Sequence, residues 1–195
     1  MILLAPRSAL TALVVALPLL LAPRAALAAP LVATPPDAWQ LFVFSVRLLR
    51  IEAPDATEAY DRAVAYRLEL VRACIEATDD RTERYICVKV ARFESSYRED
   101  VGRCEVKGAA GELTAWQIIP RNAAERARLC HDLTEDARVH LERVRESRAA
   151  CRSLPKVEQL AMYARGDCAS ADGRKLSRHR FPTDAEVKRV ETERW

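Results

Sequence analysis

Histidine is scarce in this chain, at three residues in 195, and no two of its six cysteines stand in a CxxC spacing. Both absences argue against a zinc site, which draws its ligands from clustered cysteine and histidine. No stretch shows the apolar–polar alternation of a half-buried strand, and no segment repeats at a fixed period, so sheet folds and solenoids drop out. A strong charge of one sign is also missing, with 31 Lys and Arg against 28 Asp and Glu. Arg7 and Arg24 fall in an amino-terminal leader that has no acidic residue, so 29 basic residues face 28 acidic ones after it. A chain so nearly neutral lacks the electrostatic footprint of a nucleic-acid binder.

The leader, residues 1–28, has an early Arg7, an apolar run from Ala9 to Ala22, and Ala26-Leu27-Ala28 as a small-residue cleavage motif. That is the layout of a secretory signal peptide. Pro18 and Pro23 break the run short of the ~20 apolar residues that a spanning helix needs. No cysteine sits at the cut to carry a lipid. The expectation is a periplasmic or secreted protein, cleaved near Ala28 and Ala29, with no membrane span after cleavage. Residues 29–195 are enough for one domain with its own core.

Cys74, Cys87, Cys104, Cys130, Cys151 and Cys168 all lie beyond the leader. An even count in an oxidising compartment reads as three disulfides, for which fifteen pairings exist. The sequential pairing is favoured, because each bond then closes a loop between neighbouring helices. Each contributes about 2–4 kcal/mol.

The remainder reads as helices. Trp39, Phe42, Val43, Val46 and Leu49 recur at three- and four-residue steps after Pro36, and Tyr60, Val64, Leu68, Val71 and Ile75 do so after Thr57. Ile86, Val90, Phe93 and Tyr97 form a third stripe. The pattern fails between Tyr97 and Pro120, where Gly102, Gly108 and Gly111 mark a loop. Helices resume after Pro120, after a Thr134 cap, and after Pro155 with Gly166 as the stop. Residues 167–182, DCASADGRKLSRHRFP, read as a basic surface loop, or more sharply as a contact for an anionic polymer. Thr183 and Glu186 form a capping box before a last polar helix. The fold class is mainly α.

Glu94 is the candidate for chemistry. A carboxyl at the end of an apolar helix, beside a cleft-forming loop, is a setting in which desolvation favours the protonated acid. Such an acid can protonate a leaving oxygen. Helix geometry alone also fits an ordinary exposed glutamate.

The surrounding order narrows this. ESSY at 94–97, KGAAGELTAWQIIP at 107–120 and LAMYARGDC at 160–168 occur in the sequence in which such elements occur in one family. The chain there resembles the lytic transglycosylase (SLT-type) domain of the lysozyme-like superfamily. The resemblance spans roughly residues 82–168. It implies a single lysozyme-like helical domain, cofactor-free and monomeric, that cleaves the MurNAc–GlcNAc β-1,4 bond of peptidoglycan glycan strands and leaves a 1,6-anhydroMurNAc end. Glu94 matches the family's catalytic acid and Ser95 the residue after it. Gln117 matches the cleft glutamine, and Tyr163 the tyrosine of a late Tyr-x-x-Gly. Trp116 stands where it either stacks on a sugar or fills the core. Two departures stand out. Gly111 is followed by ELTAWQ, with Glu112 either a turn residue or a second acid, and Ala164 occupies a position that is often Asn. They keep two alternatives open: a lysozyme-type hydrolase, and a catalytically impaired peptidoglycan-binding protein. The domain division expected is a leader at 1–28, a helical extension at 29–56, the lysozyme-like domain at 57–181 and a polar helix at 182–195.

Overall fold

A computed structural model describes residues 36–51 and 57–192; the expected leader and cleavage site lie outside them. Among the described residues the chain is mainly helical, with one isolated antiparallel bridge between Leu113 and Ile118. The helices are α1 (Pro36–Leu48), α2 (Thr57–Ala77), α3 (Arg81–Ser95), α4 (Glu99–Gly102), α5 (Ala123–Arg128), α6 (Leu133–Ala150), α7 (Ala161–Arg165), α8 (Ala171–Arg180) and α9 (Asp184–Thr192). A 3-10 turn at Lys156–Glu158 precedes α7.

Helix α3 is the axis of the fold, packing against α1, α2, α6 and α8. Tyr85 through Ala91 are all buried, so this helix is covered on every side. Its polar groups are therefore paired. Lys89 reaches Glu186 of α9 at 2.6 Å and the Phe181 carbonyl at 3.0 Å, and Glu83 holds Arg145 of α6 at 2.7 Å. Burial of the apolar side chains around α3, at roughly 1.5–3 kcal/mol each, is the main favourable contribution. The helix starts at Asp80, whose carboxylate accepts from the Glu83 amide at 2.8 Å.

Several expectations are met. The disulfides are Cys74–Cys87, Cys104–Cys130 and Cys151–Cys168, the sequential set. They fit an extracytoplasmic protein. No helix of the described residues is long and apolar enough to cross a membrane. The Thr183–Glu186 capping box is formed in both directions, at 2.8 and 3.2 Å. Gly166 ends α7 with φ of 73°.

Others are corrected. The cap of α6 is Asp132, which accepts from the Thr134 and Glu135 amides, because Leu133 is already helical and buried. The single helix expected after Pro155 is two pieces, the 3-10 turn and α7. Phe93 leaves the buried stripe and is 47 % exposed, because α3 stops at Ser95 and the chain turns back through Ser96 and Tyr97, with φ of 54° and 59°. Tyr97 is instead buried by hydrogen bonding to the Val88 carbonyl at 3.2 Å, under the guanidinium of Arg67. The basic stretch read as a loop contains α8, capped by Ser170 at the Gly173 amide. Helices α1 and α9 pack on the same core as α2 and α3, with Val190 3 % exposed, so the flanking segments are not separate from the central domain.

Candidate active-site cleft

The last turn of α3, the 112–121 loop, α6, α7 and the end of α8 enclose a cleft of about 560 Å³. Glu94, Glu112, Gln117 and Tyr163 all line it. Three sequence-separated motifs therefore meet at one place.

The loop is shaped by backbone requirements. A Cβ placed on Gly108 would lie 2.8 Å from Gln117 Oε1 and closer still to Glu112 Oε2, so the bare glycine gives the ends of these two side chains the space they occupy. Gly111 supplies a φ of 84°, and its amide donates to the Gly108 carbonyl at 3.0 Å. The Leu113–Ile118 bridge then closes a tight turn over Thr114–Gln117, with Thr114 and Gln117 both at positive φ. Positive φ in a non-glycine residue costs of order 1–3 kcal/mol and is tolerated only where the surroundings enforce it. Here the enforcement comes from Trp116. Its ring is fully buried, donates from Nε1 to the Cys87 carbonyl at 2.9 Å, and stacks on His140 with centroids 5.6 Å apart.

Trp116 is thus a core anchor and offers no open ring face to a sugar. Ser95 is likewise corrected: it is buried, its hydroxyl donates to the Ala91 carbonyl of its own helix at 2.9 Å, and it does not line the cleft. Apolar surface in the cleft includes Ile119, which is 49 % exposed, Met162 and Ala164.

Tyr163 faces the cleft with its phenol bound inward. The hydroxyl donates to the Trp116 carbonyl at 3.2 Å and lies 3.2 Å from His140 Nδ1. With its proton committed to that carbonyl, the phenol accepts from His140, which fixes the Nδ1–H tautomer. His140 Nε2 is then a bare lone pair, buried without a partner. Burial, assisted by Arg143, pushes this imidazole down to about 3, so it stays neutral. Burial and the charge of Glu94 push the Tyr163 phenol upward.

Glu94 itself is not the apolar-flanked acid expected from its neighbours. Its side chain is 19 % exposed and bound to Arg180, whose Nε donates to Oε1 at 2.7 Å with Nη2 on the same oxygen. Glu112 Oε2 accepts from the Ala110 amide at 2.8 Å, so part of its capacity stabilises the loop. Arg121, Arg143, Arg165 and Arg180 also line the cleft. Of the four, only Arg180 falls in a stretch the sequence singles out, the basic 167–182 segment read as a contact for an anionic polymer. Its pairing with Glu94 could have been found only by recognising α8 as a helix, which the basic character of SRHR hides.

Among the described residues no group of His, Cys, Asp and Glu is arranged to hold a metal ion. Comparison with protein families, characterised proteins and solved structures finds no match to this chain.

Proposed function

We propose that this protein cleaves peptidoglycan glycan strands as a lytic transglycosylase, with Glu94 as its one essential acid and base. The observation that carries the reading is the convergence of Glu94, Gln117 and Tyr163, from the three motif segments, on one cleft of sugar-binding size. In the proposed reaction the Glu94 carboxylic acid gives its proton to the glycosidic oxygen as the C1–O bond breaks. The resulting carboxylate takes the proton of the sugar's own C6 hydroxyl, whose oxygen bonds to C1 and forms the 1,6-anhydro ring. The proton balance closes on Glu94 and no water is consumed. An intramolecular nucleophile has its entropy of approach removed in advance, which makes a second catalytic carboxylate unnecessary. Gln117 is suited to hydrogen-bond the sugar, and Ile119 and Met162 to contact its apolar face. The role of Tyr163 is that of a strut joining α7 to the Gln117 turn.

The test is Glu94→Gln. Purified protein releases anhydro-muropeptides from sacculi, and the variant loses at least about 100-fold of the rate, the scale of general acid–base catalysis. An unchanged rate refutes the assignment. One observation favours a second reading: Glu112 lines the same cleft, as a lysozyme-type hydrolase using two carboxyls would require. Mass spectrometry separates the two, since hydrolysis adds water and leaves a reducing end.

A further inference from the structure

The charge of the cleft is unused by this chemistry. Four arginines line it against two carboxylates. Arg121 and Arg143 are engaged by Glu146 and Glu125, neither of which lines the cleft. Arg165 is exposed and, among the described residues, its side chain makes no hydrogen bond or ion pair. Arg180 is 13 % exposed and spends Nε and Nη2 on Glu94, while Nη1 is buried with no acceptor. A guanidinium presents two hydrogen-bonding edges suited to carboxylates. In Arg180 one edge holds Glu94 and the other is incomplete.

We infer that Arg180 and Arg165 read a carboxylate on the bound glycan, so that the cleft selects acidic strands; this rests on the glycan-cleaving reading above. Two sources supply that chemistry, the lactyl carboxylate of peptide-free muramic residues and the carboxylates of a peptide stem. The incoming group pairs with the exposed Arg165 and competes with Glu94 for the guanidinium of Arg180. Glu94 then gives up part of its ion pair with Arg180. Recognition of substrate charge and release of the Glu94 side chain from Arg180 are then one event.

The experiment uses the full chain and alternating GlcNAc–MurNAc hexasaccharides in three forms: peptide-free, peptide-bearing, and with every carboxyl amidated. Wild-type kcat/KM on at least one charged form exceeds that on the amidated form by roughly 10–100-fold, the scale of a charge-assisted hydrogen bond. Which charged form is preferred identifies the source. Arg165→Met and Arg180→Lys each compress that ratio toward one, with circular dichroism confirming the fold. Arg165→Met keeps the test valid if Arg180→Lys unfolds. Equal wild-type rates on charged and amidated strands overturn the inference and leave the cleavage reading standing. Charge-selective binding by fluorescence anisotropy without cleavage supports the inference and overturns the cleavage reading. No binding of any form overturns both.

Discussion

Asp136, at the start of α6, provides a stability test independent of catalysis. Its carboxyl is 1 % exposed and accepts from the Cys130 amide at 2.9 Å. Burial, with smaller contributions from Asp132 and Glu135, outweighs that hydrogen bond and pushes the group up from 3.8 to about 7. The folded chain therefore binds a proton more tightly than the unfolded chain. Below about pH 4 both states are protonated and the site has no cost. Between about 4 and 7 stability falls as pH rises, because only the unfolded chain has lost the proton. Above about 7 a buried carboxylate persists at its full cost. Three pH units at ~1.4 kcal/mol each set an upper bound of about 4 kcal/mol. Asp136→Asn retains an oxygen for the Cys130 amide and cannot ionise. The expected result, from urea unfolding with disulfides intact, is a variant about 2–4 kcal/mol more stable than wild type at pH 8 and within ~1 kcal/mol of it at pH 4. A difference of the same size at both pH values, or a less stable variant at pH 8, refutes the reasoning.

Three further outcomes follow from the packing. Tyr163→Phe leaves the Trp116 carbonyl and the His140 Nδ1–H without their partner, and a loss of about 2–3 kcal/mol is expected in the same unfolding assay. Glu186→Gln strips the buried Lys89 ammonium of its countercharge; calorimetry should show a loss of about 2–4 kcal/mol, larger than that for Lys89→Met. Gly108→Ala makes the ends of Glu112 and Gln117 swing aside; because these ends are flexible the melting temperature should move by only a few degrees, while on the proposed reading glycan cleavage falls as Gln117 leaves its place.

The sequence made the helical core legible because its stripes are apolar. Val71, Ile86 and Val90, all on the expected stripes, are fully buried, whereas Trp39 and Tyr60 at the starts of their stripes are 42 % and 44 % exposed, because periodicity weakens where a helix end leaves the core. The C-terminal helix was readable from its capping box, which is a local interaction. Helix α8 was not, since ADGRKLSRHR contains one large apolar residue, Leu176, and a glycine that argues against a helix. It is stabilised by tertiary fit. A Cβ on Gly173 would come within 2.9 Å of the Ala161 carbonyl, and Ser177 bonds the Leu160 amide and the Val157 carbonyl. The partner of Glu94 was hidden with that helix, 86 positions along the chain. Trp116 was ambiguous for a related reason: whether an indole is covered depends on His140 and Cys87, which its neighbours in sequence do not specify.

The bond between Cys151 and Cys168 clasps the chain on both sides of the stretch that contributes Met162 to Gly166 to the cleft wall. While those two sulfurs remain thiols, that wall lacks its covalent tether, and the arginine at its tip has no fixed bearing on Glu94. The oxidised bond therefore fixes the length of the loop from which that wall is built.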